Sequence, residues 1–231
     1  MPLFPPLLAA SFVSRPNRYL IVAELEGRPV EAACRDPGRL GWLLHPGVAL
    51  RLRPATGPHR RTLFDVVLAE RDGAWVSLVP TLANQLFAEA VAAGAAPGLS
   101  GARVLGREVG HGRSRFDFVL GHRGRRVLTE VKSVGFVEGG HALFPDAPTT
   151  RGARHVRELT AHAREGGAAL LAFVVQGHGA RAVGPHAELD PDFTSALAEA
   201  RLARVRVLGF SCEVTEAGAR IQGRLPVVFP R

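Results

Sequence analysis

The sequence predicts an α/β (α+β) protein of two domains. A small all-β barrel comparable to an OB-fold is expected over residues 1–80, and an α/β domain with a central mixed sheet over residues 81–231. Three observations carry this. Up to Val79 the chain reads as short strands separated by Gly-, Pro- and Asp-rich turns, with little helix. Beyond Pro80, helical periodicities alternate with strand-like runs. The chain has 231 residues, 46% of them hydrophobic, enough to bury a real core.

In the first part, "RYLIVAELEGRPVEAAC" predicts two strands about a turn at Glu26–Gly27. "VALRLRP", "TLFDVVLAE" and "WVSLV" predict three more, the last two joined by "RDGA". "CRDPGRLGWLLHPG" reads as a loop with one helical turn. In the second part, "TLANQLFAEAVAAG" predicts a helix capped by Thr81, with Leu82, Leu86 and Ala90 on one face and Gly94 as the stop. "SRFDFVL" and "RVLTEVKSV" predict strands around "GHRGR". "TTRGARHVRELTAHAREG" is a helix with an apolar stripe of Val156, Leu159 and Ala163. "ALLAFVVQ" suits a fully buried strand, and "DPDFTSALAEARLA" a helix with Asp190 as N-cap and Pro191 at its first position. "VRVLGFSCEV" closes the domain as one or two strands.

Composition narrows the function. A net charge of +8 favours a polyanionic partner, most commonly nucleic acid; well-solvated arginines in an arginine-rich proteome are the plain alternative. Cys34 and Cys212 are far apart in sequence and fit no metal spacing, which points to a reduced, cytoplasmic protein. The apolar start "MPLFPPLLAASFV" lacks a basic leader and contains three prolines, so no signal peptide is expected, and no run is long enough to span a membrane. No HExxH or paired-histidine spacing marks a zinc site, and neither GxxxxGK[ST] nor GxSxG occurs. The sequence leaves a homodimer open.

Of 29 Lys+Arg residues only one, Lys132, is lysine. It lies in "LTEVKSV". Strand alternation puts Glu130 and Lys132 on one face, about 7 Å apart. In "SRFDFVL", alternation puts Phe116, Phe118 and Leu120 on one face and Asp117 on the other. If the two strands pair antiparallel, Asp117 comes beside Glu130 and Lys132. Two carboxylates and a lysine on one sheet face are costly as mere packing. They suit a Mg²⁺ or Mn²⁺ ion, which takes a few protein oxygens and keeps its remaining positions for water and phosphate. A lysine there assists the attacking water or offsets charge on the phosphate. Arginine, with its high pKa and broad fork, substitutes poorly.

An Asp at one strand followed by Glu-x-Lys on the next resembles the PD-(D/E)xK nuclease superfamily. More narrowly, "RPNRYLIVAELEG", "DPGRL", "SRFDF", "EVKSV", "FPDAPTTRG" and "FVVQ" resemble the sugar fermentation stimulation protein A (SfsA) family over nearly the full length. The resemblance implies an N-terminal OB-like domain, a restriction-endonuclease-like C-terminal domain, DNA binding and a link to sugar-catabolism genes. By position, Asp117 and Glu130 match the metal-binding acids and Lys132 the catalytic lysine. The chain departs from the family pattern at Asp36 (Asn expected), at Gly135 (Thr expected), and at "GHG" after "FVVQ".

Further candidates surround this core. Glu108 is placed to bind metal through water, with a surface glutamate as the alternative. Arg151, Arg154, His155, Glu158 and His162 fall opposite the apolar stripe of their helix, and Arg151, Arg154 and His155 are expected at phosphate, near that helix N-terminus. Asp146 is either a ligand or a loop acid. In the first domain Arg15, Arg18, Arg39, Arg60 and Arg61 are expected on DNA; Tyr19 and Trp42 are able to stack on bases, though core packing is the commoner role of such aromatics. Three functions remain open: a metal-dependent nuclease, a non-catalytic DNA-binding regulator, and an enzyme using Lys132 as a Schiff-base nucleophile.

Overall fold

The computed structural model describes residues 4–229. The first three residues of the apolar start lie outside them. Among the described residues no helix is long and apolar enough to cross a membrane.

The first domain is built from β1 (Leu8–Asn17), β2 (Leu20–Leu25), β3 (Arg28–Ala33), β4 (Ala49–Pro54), β5 (Phe64–Arg71) and β6 (Ala74–Ser77). Five of them run in the order β3-β2-β1-β4-β5, and a parallel β3–β5 pairing closes the ring. The turns at Glu26–Gly27 and Asp72–Gly73 hold both residues at positive φ, which fits two-residue hairpins. Ile21, Leu50, Leu52 and Val66 fill the interior.

The predicted strands form, but the ring's membership differs from expectation. β6 lies outside the ring on β5, and its place is taken by β1, which the sequence did not announce. β1 buries only Phe12 fully and breaks register twice against β2, so it carries no clean alternation.

The second domain comprises α1 (Leu82–Ala92), β7 (Arg103–His111), β8 (Ser114–His122), β9 (Arg125–Val134), β10 (Val137–Glu138), β11 (His141–Phe144), α2 (Thr150–Arg164), β12 (Ala168–Val175), β13 (Ala182–Pro185), α3 (Pro191–Leu202), β14 (Arg206–Thr215) and β15 (Gly218–Leu225). The main sheet runs β15-β14-β12-β9-β8-β7. β12 is buried, as its unbroken apolar run suggested, and lies parallel to both β9 and β14, while the remaining pairs are antiparallel. α1 covers one face through Leu86, Phe87 and Val91. α2 and α3 cover the other through Val156, Leu159, Phe193 and Leu197. A small sheet, β10-β11-β13, sits beside them.

Asp190 caps α3 by accepting from the Phe193 N–H, as predicted. Thr81 does not cap α1: its backbone is already helical and its side chain makes no cap bond. β8 departs from simple alternation. Phe118 and Leu120 lie under α1, but Phe116 turns to the α2 side, with its ring 5.5 Å from that of His155. The β8–β9 ladder stops at Phe118–Thr129, and opposite Asp117 the β7 residue Glu108 has a left-handed φ of 51°. The strand therefore twists at Asp117.

Candidate active site

Beyond the end of the β8–β9 ladder the strands part, and the Asp117 carboxylate fills the gap. Its Oδ2 accepts from the Val131 N–H at 2.7 Å, replacing a strand carbonyl, and its Oδ1 accepts from Asn84 Nδ2 of α1 at 2.6 Å. Glu130 is 4% exposed. Its Oε1 takes the Lys132 ammonium at 2.7 Å and His155 Nδ1 at 2.6 Å, while Oε2 is buried with no partner. A buried carboxylate oxygen without a donor costs free energy, which a bound cation would offset.

The electrostatics differ between the two acids. Burial, then the charge of Glu130, pushes the Asp117 carboxyl up to about 6. Burial also works to raise Glu130, but the His155 hydrogen bond and the Lys132 charge outweigh it and hold that carboxyl below its usual range.

Asp117, Glu130 and Lys132 line one cavity of about 430 Å³ that lies between the two domains. The barrel contributes Asp36, Gly38, Trp42 and the end of β6; the second domain adds Asn84, Asp146 and Arg151. Asp146 packs against Gly38 so closely that a Cβ there would stand 1.9 Å from its Oδ2. Burial, then the neighbouring Asp36 charge, raises the Asp146 carboxyl to about 6. Gln176, at the end of β12, holds Ser133 of the cavity wall at 2.7 Å.

The other candidates fall into separate places. Glu108 lies outside this cavity, exposed and paired with Arg115 at 2.9 Å. His155 is not on a solvated helix face but 2% exposed, packed between Glu130 of β9 and the Phe116 ring of β8. It therefore positions Glu130 and has no surface to offer a phosphate. Arg151 is exposed at the cavity, and Arg154 is exposed one turn on.

In the barrel, Arg15 is committed to its own chain: its guanidinium donates to the carbonyls of Arg18, Asp36, Gly38 and Arg39. Arg60 is likewise bound to buried Asp65 at 2.6 Å, together with Arg53. Arg18, Arg39 and Arg61 are exposed, and Tyr19 is 61% exposed. Trp42 is half-buried against Phe136.

Asn84 and Asp36 were the residues that sequence reasoning did not place in the site. Their signal, an Asn on the polar side of α1 and an Asp in a turn, is common to many surface positions.

The fold and cavity define a two-domain protein in which a closed OB barrel walls the carboxylate-bearing edge of a mixed α/β sheet. Family models match both halves: residues 13–78 match the SfsA N-terminal OB domain and residues 81–218 the sugar fermentation stimulation protein RE domain. The chain belongs to the sugar fermentation stimulation protein family. It is 44% identical over 210 residues to a sugar fermentation stimulation protein homolog of Moorella thermoacetica, with 90% of each chain covered. It is 41% identical over 204 residues to a homolog from Methanothermobacter thermautotrophicus, covering 88% of this chain and 85% of that one. The solved structure of Pyrococcus furiosus SfsA in complex with Ca²⁺ superposes with a TM-score of 0.90 at 27% identity, covering 98% of this chain and 97% of the other.

Proposed function

We propose that this protein binds DNA and that the cavity at Lys132 cleaves phosphodiester bonds with the help of Mg²⁺ or Mn²⁺. The observation that carries the reading is the state of the two acids: Glu130 keeps one buried oxygen unpartnered, and Asp117, beside it, is held up to about 6 by burial and by Glu130's charge.

Oxygen donors without a nearby thiolate suit a hard divalent cation. Among the described residues no group of three or more His, Cys, Asp or Glu side chains stands close enough to hold a metal ion. An ion here would rest on two carboxylates alone, with water and phosphate completing its shell, as Mg²⁺ allows. Asp117 and Glu130 would hold it. A bound ion of this kind supplies Lewis-acid polarisation of a phosphoryl oxygen and acidifies a bound water. The Pyrococcus furiosus relative, solved with Ca²⁺, supports a divalent ion in this fold.

The chain's own residues have distinct parts. The Lys132 ammonium, held by Glu130, reaches the cavity as a compact donor for a phosphoryl oxygen. His155 fixes the Glu130 carboxylate from behind. Arg151 at the cavity offers a planar fork for a flanking phosphate. Carboxylates around the lysine suit phosphoryl chemistry and give no account of carbonyl addition.

A divalent-metal panel on labelled single- and double-stranded DNA, wild type beside Lys132→Arg, tests this. Metal-dependent cleavage that falls by roughly 10²–10³ in the variant, with DNA affinity kept, is the expected result. Equal trace activity in both would defeat the enzyme reading. A non-catalytic, weakly sequence-selective regulator of sugar (maltose) metabolism genes is the second reading. The ion pair that neutralises Lys132 in this structure favours it.

A further inference from the structure

A second cavity, also of about 430 Å³, opens at the other end of the main sheet. It sits where β9, β12 and β14 begin, five residues or about 16 Å along β9 from Lys132 to Val127. Its floor is apolar: Val127, Ala163, Ala168 and Ala203 are partly exposed there, over the core residues Leu99, Leu120 and Leu170. Its rim carries Arg123, Arg125, Arg204 and Arg206, and no acidic residue lines it.

Four features separate it from an ordinary solvated surface. None of the four arginines is within ion-pair distance of a carboxylate among the described residues. Arg125 and Arg206 donate to backbone carbonyls of Gly166 and Gly98, which fixes their direction without cancelling their charge. Arg224 stands beside Arg206 at Gly98, concentrating positive charge further. His122, 8% exposed in the cavity wall, has a buried Nε2 with no partner. Converging unpaired cations and an unsatisfied buried ring nitrogen over an apolar floor describe a recognition site with its polar and apolar halves already separated.

We propose that this cavity binds a phosphorylated small molecule, its phosphate on the arginine rim and an apolar or ring-bearing body against the floor. Arginine forks match phosphate oxygens in pairs. The volume falls in the usual range of small-ligand sites, about 300–1,000 Å³. A nucleic-acid backbone alone would meet the rim and leave the floor empty. The site is separate from the cavity at Lys132 and does not rest on cleavage there.

Phenyl phosphate is a suitable probe, titrated calorimetrically into the full-length protein beside inorganic phosphate and a short duplex oligonucleotide. We expect one saturable site at which phenyl phosphate binds at least about tenfold tighter than inorganic phosphate, since the ring fills the floor. Arg123→Asn and Arg204→Asn should each weaken phenyl phosphate by roughly tenfold. Both positions have left-handed φ, 51° and 62°, which asparagine tolerates, so the fold is kept. Ala203→Phe, which fills the cavity and leaves every arginine in place, should abolish phenyl phosphate binding and spare the oligonucleotide. The proposal is overturned by no binding of phenyl phosphate, by equal affinity for phosphate and phenyl phosphate, or by an Ala203→Phe variant that binds normally. It is also overturned if the arginine variants lose only the oligonucleotide.

Discussion

Replacing Asp117 by asparagine should make the metal-free protein more stable at neutral pH. In the wild type, burial and the Glu130 charge lift this carboxyl from an ordinary 3.8 to about 6. A raised folded pKa means that the folded state holds its proton longer than the unfolded chain. Stability attributable to this group is therefore present below 3.8 and declines as pH rises toward 6. At ~1.36 kcal/mol per pKa unit the full loss is at most about 3 kcal/mol, and solvent in the open cavity reduces it to on the order of 1–2 kcal/mol. Asparagine keeps the shape and both hydrogen bonds: its carbonyl accepts from the Val131 N–H, and Asn84 needs only to turn its amide. Urea unfolding in EDTA from pH 4 to pH 8 reads the effect. The variant's advantage should grow between pH 4 and pH 6 and then level off, and added Mg²⁺ or Ca²⁺ should stabilise the wild type alone. A variant no more stable than wild type at pH 8, or a cation that stabilises both alike, would refute the reasoning.

Three other outcomes follow from the geometry. Gly38→Ala drives a methyl into Asp146; thermal unfolding should show a loss of about 1–3 kcal/mol, and any metal-dependent activity should fall with it. Asp65→Asn leaves Arg35, Arg53 and Arg60 facing one another over a buried amide and should cost about 2–4 kcal/mol in urea unfolding. Burial would raise the Asp65 carboxyl, but the hydrogen bonds from Arg53 and Arg60 hold it lower, so its contribution is present above pH 3.8 and is lost as pH falls below that value. DNA affinity measured against salt should follow a log–log slope of about −4 to −5 if the exposed Arg18, Arg39, Arg61, Arg151 and Arg154 each neutralise one phosphate; a flat dependence removes the DNA reading.

The helices and the Glu-x-Lys strand were legible because their signals are local. Asp190 caps α3 as its position implies, and β12 is buried as its apolar run suggests. Parity put Glu130 and Lys132 side by side, as they stand, but Asp117 meets them where the β8–β9 ladder ends, its carboxylate on Asn84 of α1 while Glu130 holds His155 of α2, so parity fails at Asp117 as at Phe116. What the sequence hid depends on contacts far apart in the chain. β1 buries one side chain fully, so nothing in its composition marks it as a member of the barrel. β7 buries none fully and kinks at Glu108. His155 looked solvent-facing because helical periodicity assumes one narrow buried face, and α2 also buries this residue against Phe116 and Glu130 of the sheet. Asp36 and Asp146 meet only because the domains dock, and no pattern in either segment reports that.

The docking of those loops gives a protein of net charge +8 an interior of the opposite sign at one point. Asp36, Asp117, Glu130 and Asp146 share a cavity with Lys132 and Arg151, so the carboxylates outnumber the cations there. Attraction and admission are then separate events. The proposed polyanion would be drawn in at long range by the arginine exterior, yet repelled at the mouth of the cavity while all four acids are ionised. Cancelling that charge, by a cation or by protons on the two acids that sit near 6, lowers the barrier. For the proposed metal-dependent DNA binding this predicts an order of assembly: the cation enters first, and the nucleic acid settles afterwards.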